Sequence, residues 1–457
     1  MGTPSTAPSS TVPALSAERA VNWPKRVKSK LANGLEVVLV ESHTIPRFHG
    51  SLYFRSGNAA VSHLAPGLAD MTATMVRTGT TKRASRQIEE DLRRLGADLS
   101  SSAGQDTSAI SFAGLSEFAG PLLGLVNELA REASFPEAEF ERERRQKLEE
   151  VKLERTQPGF LASEKLRKVL FGEHPYAKIS PSEAQVAAYK VSELQSIYRQ
   201  SYTPENAMLL LVGDFDPQAM LTTIEKVFGN WSGKKPAAPN AASPANPHNR
   251  KVYLVHVPGA VQAQILAGCH SITRKNPDWV KLGLTNSLYG GAFNSRLVMN
   301  IREAKGYTYS PRSAVTPLQQ HGYFSVSAAV RNEVVAASLT EIFYEIDKLR
   351  SLPVPDSELA DAQNYLSGVF SMGLATQDGL LSQISTVALN ELPDDYLETY
   401  RAKVRAVTPA DLQATAQKYF DSANMQIVLV GDRSKIETQA ALFGDLDVFD
   451  AQGNKLS

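Results

Sequence analysis

Apolar residues along this chain repeat with two periods, and each period predicts an element. Residues 31–41 (LANGLEVVLVE) read as a hairpin-like strand start with Asn33-Gly34 as the turn. Residues 51–55 read as a second strand, and 99–112 contain further strand. Helical spacing covers 67–77, 85–95 and 115–133. The runs NAMLLLVGDFD (206–216) and NMQIVLVGDRS (424–434) are apolar without alternation. Each predicts a buried strand ending in a Gly-Asp turn, at Gly213-Asp214 and Gly431-Asp432. Pro136 and Pro355 are placed at the first position of two long helices, where a missing N–H costs nothing. Thr408-Pro409-Ala410-Asp411 is a helix N-cap. Strands and helices interleave without a strict βαβ repeat, which predicts an α+β protein of mixed, mainly antiparallel sheets packed against helices.

The two Gly-Asp strands and the two proline-headed helices recur in nearly the same phase, which points to a duplication. Between the copies, SGKKPAAPNAASPANPHNR (232–250) is too rich in Pro, Ala, Asn and Ser to form a core and reads as a surface linker. The predicted organisation is a flexible leader (1–24), a first domain (25–231), the linker (232–250) and a second domain (251–450). A length of 457 residues supports two cores.

Composition removes several function classes. Lys plus Arg and Asp plus Glu are 48 each, so no net charge attracts nucleic acid or a membrane surface. No apolar run is long enough for a membrane-spanning helix. Cys269 is the single cysteine, which excludes an intrachain disulfide and a thiolate-rich metal site. Beside His270 at a strand end it reads as packing. Residues 1–16 are rich in Ser, Thr, Pro and Ala and lack the apolar core of a signal peptide. A remnant of an export signal at that end gives the expectation of a periplasmic location, with the cytoplasm as the alternative.

Several stretches together resemble the M16 metallopeptidases, the family of pitrilysin and mitochondrial processing peptidase. They are LANGLEVVLVES (31–42), GLADMTATMVRTGTTKR (67–83), the Glu-rich helix at 139–154, HPYAKISPSE (174–183), YTPENAMLLLVGDF (202–215) and GGAFNSRLVMNIREAKGYTYS (290–310). The resemblance implies the duplicated LuxS/MPP-like metallohydrolase fold. It also implies a place for an inverted zinc motif, His-x-x-Glu-His. Histidines at i and i+4 share a helix face and grip one zinc, while the Glu activates the metal-bound water.

Here Asp70 and Thr74 stand at the histidine positions and Ala73 at the base position. Only the downstream carboxylate, Glu150, is retained, with Glu143 one heptad before it on the same face. Carboxylates without nitrogen donors hold zinc poorly, so this chain is expected to bind no metal. His43 and His49 are six apart and offer no replacement pair. Read without the resemblance, Leu68, Met71, Met75 and Val76 form the apolar stripe of an ordinary amphipathic helix, and Asp70, Thr74 and Arg77 its polar face.

The resemblance further implies that Arg302 and Tyr309 are the pair that active members supply from their second half. Arg offers a fork of donors to a peptide carbonyl, and a Tyr hydroxyl donates to the developing oxyanion. Read alone, Arg302 is a helix-end cation and Tyr309 a strand aromatic. The implied role is a zinc-less subunit whose partner, an HxxEH-bearing chain of the same family, carries Zn²⁺ in a heterodimer acting on peptides or unfolded segments. The rival reading is a structural subunit like the core proteins of the bc1 complex. Two further places follow from the resemblance. Ser100-Ser101 lie in the strand region where the family's substrate adds as an extra strand, with the equivalent of that strand placed near 323–329. Gly290-Gly291 stand where mitochondrial processing peptidase has a longer glycine-rich loop.

Overall fold

A computed structural model describes residues 21, 23–237 and 241–457. Two sheets dominate it. The first is ordered β1-β2-β6-β3-β5-β4, from β1 (Arg26–Lys30), β2 (Glu36–Glu41), β3 (Arg47–Phe54), β4 (Asp98–Ala103), β5 (Ser108–Leu115) and β6 (Ala207–Gly213). The second is ordered β13-β12-β7-β11-β8-β10-β9, from β7 (Lys251–His256), β8 (Gln262–Ser271), β9 (Arg312–Pro317), β10 (Gly322–Arg331), β11 (Gln426–Gly431), β12 (Asp445–Phe449) and β13 (Lys455–Leu456). Pairing is antiparallel except for β2 with β6, and β7 with β11 and β12. Residues 31–34 turn β1 into β2, with Gly34 at φ +93°.

The first half carries α1 (Leu68–Val76), α2 (Ser85–Arg94), α3 (Ala119–Glu132), α4 (Glu137–Glu154), α5 (Pro158–Phe171), α6 (Glu183–Ala187), α7 (Val191–Ser201) and α8 (Pro217–Phe228). The second carries α9 (Trp279–Asn286), α10 (Val335–Ser351), α11 (Asp356–Gly373), α12 (Gln377–Leu389), α13 (Tyr396–Arg405), α14 (Pro409–Tyr419) and α15 (Arg433–Ala440). No helix of the described residues is long and apolar enough to cross a membrane.

One face of each sheet packs on helices of its own half. Val37, Leu39, Leu52, Ile110 and Leu209 meet Met71, Leu122 and Val126 in the first; Leu254, Ile265, Phe324 and Leu429 meet Leu339 and Ile346 in the second. The opposite faces are covered by exchange. Helix α12 of the second half lays Leu380, Leu381, Ile384 and Val387 on Val38, Val40, Leu210 and Val212. Helix α5 of the first half lays Leu161, Leu166 and Leu170 on Val255, Leu266, Val428 and Val430. Strands β6 and β11 are therefore buried on both faces, which explains their unbroken apolar runs. Gly268 permits the close approach of α5, since a Cβ there would lie 2.9 Å from Leu166 Cδ2. The turns of the two edge hairpins meet where Tyr176 Oη donates to Asp106 and the Gln319 amide donates to the same carboxylate at 3.1 Å.

Some expectations need amendment. The leader lies largely outside the described residues, but Trp23 within it packs on Phe370 with ring centroids 6.2 Å apart. The second sheet runs on past residue 450 to β13. Pro136 and Pro355 occupy the N-cap, one place before the first helical residue, with ψ of 133° and 142° that a helix does not allow. The strand at 323–329 is not an edge. It belongs to β10, which is paired on both sides by β8 and β9, so its backbone groups are taken. The edge equivalent to β4 is β9. Described linker residues 232–237 and 241–250 form no helix or strand, and 241–247 lie beside 169–175.

Candidate functional site

Helix α1 starts after Gly67, which sits at φ +81° with no room for a side chain: a Cβ would lie 2.7 Å from Tyr189 Oη. The helix buries Leu68, Met71, Met75 and Val76 as its periodicity predicts, and Ala69, Thr72 and Ala73 as well, because α4, α7 and β4 surround it. Asp70 and Thr74 are half-buried. Ala73 is fully buried and carries no group that could act as a base. Asp70 accepts a hydrogen bond from Asn58 Nδ2 at 3.1 Å. Burial pushes its carboxyl pKa up, opposed by the Asn58 bond and Lys147 and reinforced by Glu150 and Glu154.

On α4, Lys147 donates to Glu150 at 3.0 Å, and Glu143 pairs with Arg142 at 2.8 Å. Each of these carboxylates is thus paired with a cation of its own helix. Among the described residues no three His, Cys, Asp or Glu come together in a way that could hold a metal ion. The residues present do not fit zinc, which needs three well-placed ligands and deprotonated nitrogen or sulfur donors in this class of site. His43 is engaged elsewhere, with Glu41 at 2.5 Å and with Asp214, and His49 lies 3.9 Å from Asp378.

Arg302 and Tyr309 come together. Arg302 lies on Val298–Ala304, a segment wound more widely than an α-helix, and Gly306 at φ +62° reverses the chain after it. The guanidinium carbon is 4.4 Å from the centroid of Tyr309 and 4.8 Å from that of Phe293. Its Nε is 3.2 Å from Glu303. Tyr309 is 78% exposed and Phe293 69%, so both rings lie open. The pair shares no hydrogen bond or ion pair with Asp70, Ala73, Thr74 or Glu150. Tyr309 is not a core aromatic, while Arg302 does stand in the last turn of its helical segment as a helix-end cation, with two rings near its guanidinium. Gly290 packs against the edge strand, where a Cβ would meet Ser313 Oγ at 2.7 Å, while Gly291 fits against Asn286. Cys269 is buried, and burial pushes its thiol up to about 12.

Each crossing helix leaves part of a sheet face open beside an edge strand. In the first half a groove of about 790 Å³ is floored by His49, Ser51, Ser100 and Ser111 and walled by α12. In the second half a groove of about 350 Å³ lies between α5 and the β9–β10 hairpin. Phe293 and the second groove were not legible from pattern. An exposed Phe amid Gly, Asn and Ser was a faint signal for the first. The groove depends on a helix docking from the other half.

Residues 36–179 match the family pattern described as "Insulinase (Peptidase family M16)", and residues 189–366 match "Peptidase M16 inactive domain". The chain belongs to peptidase family M16. Among its relatives in that family, a Streptomyces coelicolor protein named an uncharacterized zinc protease is 23% identical over 85% of this chain and 86% of its own length. A Bacillus subtilis protein of like name is 20% identical over 77% and 85%. Of solved structures, an M16 inactive domain from Pseudomonas fluorescens superposes with a TM-score of 0.84 at 27% identity, covering 89% of this chain and 98% of that one. A protease from Helicobacter pylori gives the same TM-score at 19% identity over 89% and 100%, a likeness of fold. The M16 fold is thus retained here around a motif position that lacks its metal ligands.

Proposed function

We propose that this chain is a zinc-less subunit of a two-chain M16 peptidase. It contributes Arg302 and Tyr309 to a reaction centre whose Zn²⁺ is held by an HxxEH-bearing partner. One observation carries the reading: a chain without nitrogen donors at 70 and 74 still presents Arg302 and an open Tyr309 ring at 4.4 Å from each other. In this role Arg302 donates to a carbonyl of the bound peptide. The Tyr309 hydroxyl would donate to the oxyanion that develops on that carbonyl, and the partner's zinc would supply the activated water. By itself the chain offers neither nitrogen donors for zinc at 70 and 74 nor a base at Ala73, so on this reading it does not cleave peptides alone.

The test is reconstitution. The chain is mixed with a family member carrying an intact motif, and turnover of an unfolded-peptide substrate is measured. Activity that requires both chains, and that falls when Arg302→Ala or Tyr309→Phe is used, supports the reading. Cleavage by the partner alone at the same rate rejects it.

A further inference from the structure

Arg167 is a buried cation that has a side-chain hydrogen bond with Tyr323 but no carboxylate partner among the described residues. It is 8% exposed and lies on α5, the helix that crosses onto the second sheet. Its Nε donates to the Tyr176 carbonyl at 2.8 Å, while Nη2 has no hydrogen-bond partner. Phe171 and Tyr323 flank the guanidinium, with centroids 5.1 and 5.2 Å away. No carboxylate forms an ion pair with it among the described residues. Asp106, whose charge it feels, is already engaged by Tyr176 and Gln319. A buried cation without a counter-ion is costly, and such a group is retained where something supplies the missing charge.

Arg167 lines the groove beside β9, and the rest of the lining fits an anion. Arg312 opens the strand, is exposed, and donates only a long bond to Ser327 Oγ at 3.3 Å. Ser163, Thr316 and Ser325 add hydroxyls, and no Asp or Glu among the described residues lines the groove. The duplication supplies an internal control. In the first groove Asp98 opens β4 as Arg312 opens β9, and Thr386 takes in α12 the place that Arg167 takes in α5. That groove also includes Glu89 and Asp378, which balance its own arginines, Arg77 and Arg93. Both grooves hold two arginines, but among the described residues only the second holds them without a carboxylate in its lining, so the unbalanced positive charge belongs to one copy.

We propose that the groove between α5 and the β9–β10 hairpin binds the carboxylate of an extended peptide, held by Arg167 and Arg312. The peptide source follows from the edge. Among the described residues strand β9 pairs only with β10, so its outer backbone groups can pair with an extended chain while the guanidinium forks take its carboxylate. The proposal stands apart from Arg302 and Tyr309 and needs neither zinc nor a second subunit.

The test uses the full-length chain and fluorescence anisotropy. The probe is an N-terminally fluorescein-labelled peptide of about seven alternating Val and Ser residues, long enough to span the edge strand. Three forms are compared: the free acid, the C-terminal amide, and an amide with one internal Glu. The free acid or the Glu amide is expected to bind at least about ten-fold tighter than the plain amide, and that preference to shrink as salt rises. Which of the two binds tells whether the carboxylate is a chain terminus or a side chain. Arg312→Gln, at an exposed position, should weaken the preferred form several-fold, and Arg167→Gln should abolish the preference. If Arg167→Gln does not fold, the Arg312→Gln measurement still decides. Equal binding of all three peptides, no binding of any, or unchanged affinity in a folded Arg312→Gln variant overturns the proposal.

Discussion

Lys147 donates to Glu150 at 3.0 Å on the helix that faces Asp70. Glu150, the carboxylate that the family resemblance assigns to a zinc-ligand position, is thereby paired with a side-chain cation. Removing that cation and restoring the nitrogens should recreate a site. The expected outcome is that the wild-type chain shows no rise in Tm with added Zn²⁺. The triple variant Asp70→His, Thr74→His, Lys147→Gln should bind one zinc with Kd of about 1 μM or tighter, near −8 kcal/mol. Titration calorimetry and metal analysis after gel filtration check this. A triple variant that folds but binds nothing shows that the backbone too has departed from zinc geometry.

Tyr309 is open to solvent, so its removal should barely disturb the fold. An exposed cation–π stack contributes roughly 0.5–1 kcal/mol, and Tyr309→Ala should lower unfolding free energy by no more than that. In the reconstituted enzyme, Tyr309→Phe should lower kcat/KM by about 10²–10³, as loss of one oxyanion donor does. A large loss of activity beside a small loss of stability separates a chemical role from a structural one.

The exchanged helices tie the halves together. Leu166 on α5 is 1% exposed and Ile384 on α12 is 4% exposed, each packed on the other half's sheet. Leu166→Ala and Ile384→Ala should each cost about 2–5 kcal/mol. Because neither half can lose its crossing helix without uncovering the partner sheet, scanning calorimetry should show one transition in the wild type. Two separated transitions, with each variant moving only one, contradict this coupling.

Asp411 closes the N-terminus of α14. It accepts from the Thr408 amide at 3.0 Å while Thr408 Oγ1 accepts from the Asp411 amide at 3.1 Å, and Lys281 lies 2.6 Å away. The Lys281 bond and then the Thr408 bonds lower its carboxyl from 3.8 to about 2. A lowered folded-state pKa means that the stabilisation is complete above the unfolded value and is lost as pH falls through the folded one. The wild type should lose this contribution between about pH 4 and pH 2, and Asp411→Asn should lack that part of the acid dependence. Thr408→Ala should cost about 1 kcal/mol at neutral pH through the lost cap. Tm measured from pH 7 to pH 2 checks both.

Cys269 has its thiol raised to about 12 by burial in β8. At pH 8 it should react negligibly with a thiol reagent in the native protein and stoichiometrically in denaturant. Rapid native modification contradicts the burial.

Local chemistry made much of this protein legible in one dimension. Period-2 and period-3.6 apolar patterns, the Asn33-Gly34 turn, the Thr408 cap and the repeated Gly-Asp strands all act within a few residues, so the α+β class and the duplication could be read directly. The missing imidazoles at Asp70 and Thr74 were equally plain, because a ligand set is a matter of residue identity. Tertiary packing decided the rest. Which strand forms an edge depends on partners far along the chain, so 323–329 could not be told from 312–317. The burial of Arg167 and the open stack at Arg302 arise from segments that meet only after folding. A groove between α5 and β9 exists because a helix from one copy covers the other copy's sheet, and no local pattern encodes where that helix will land.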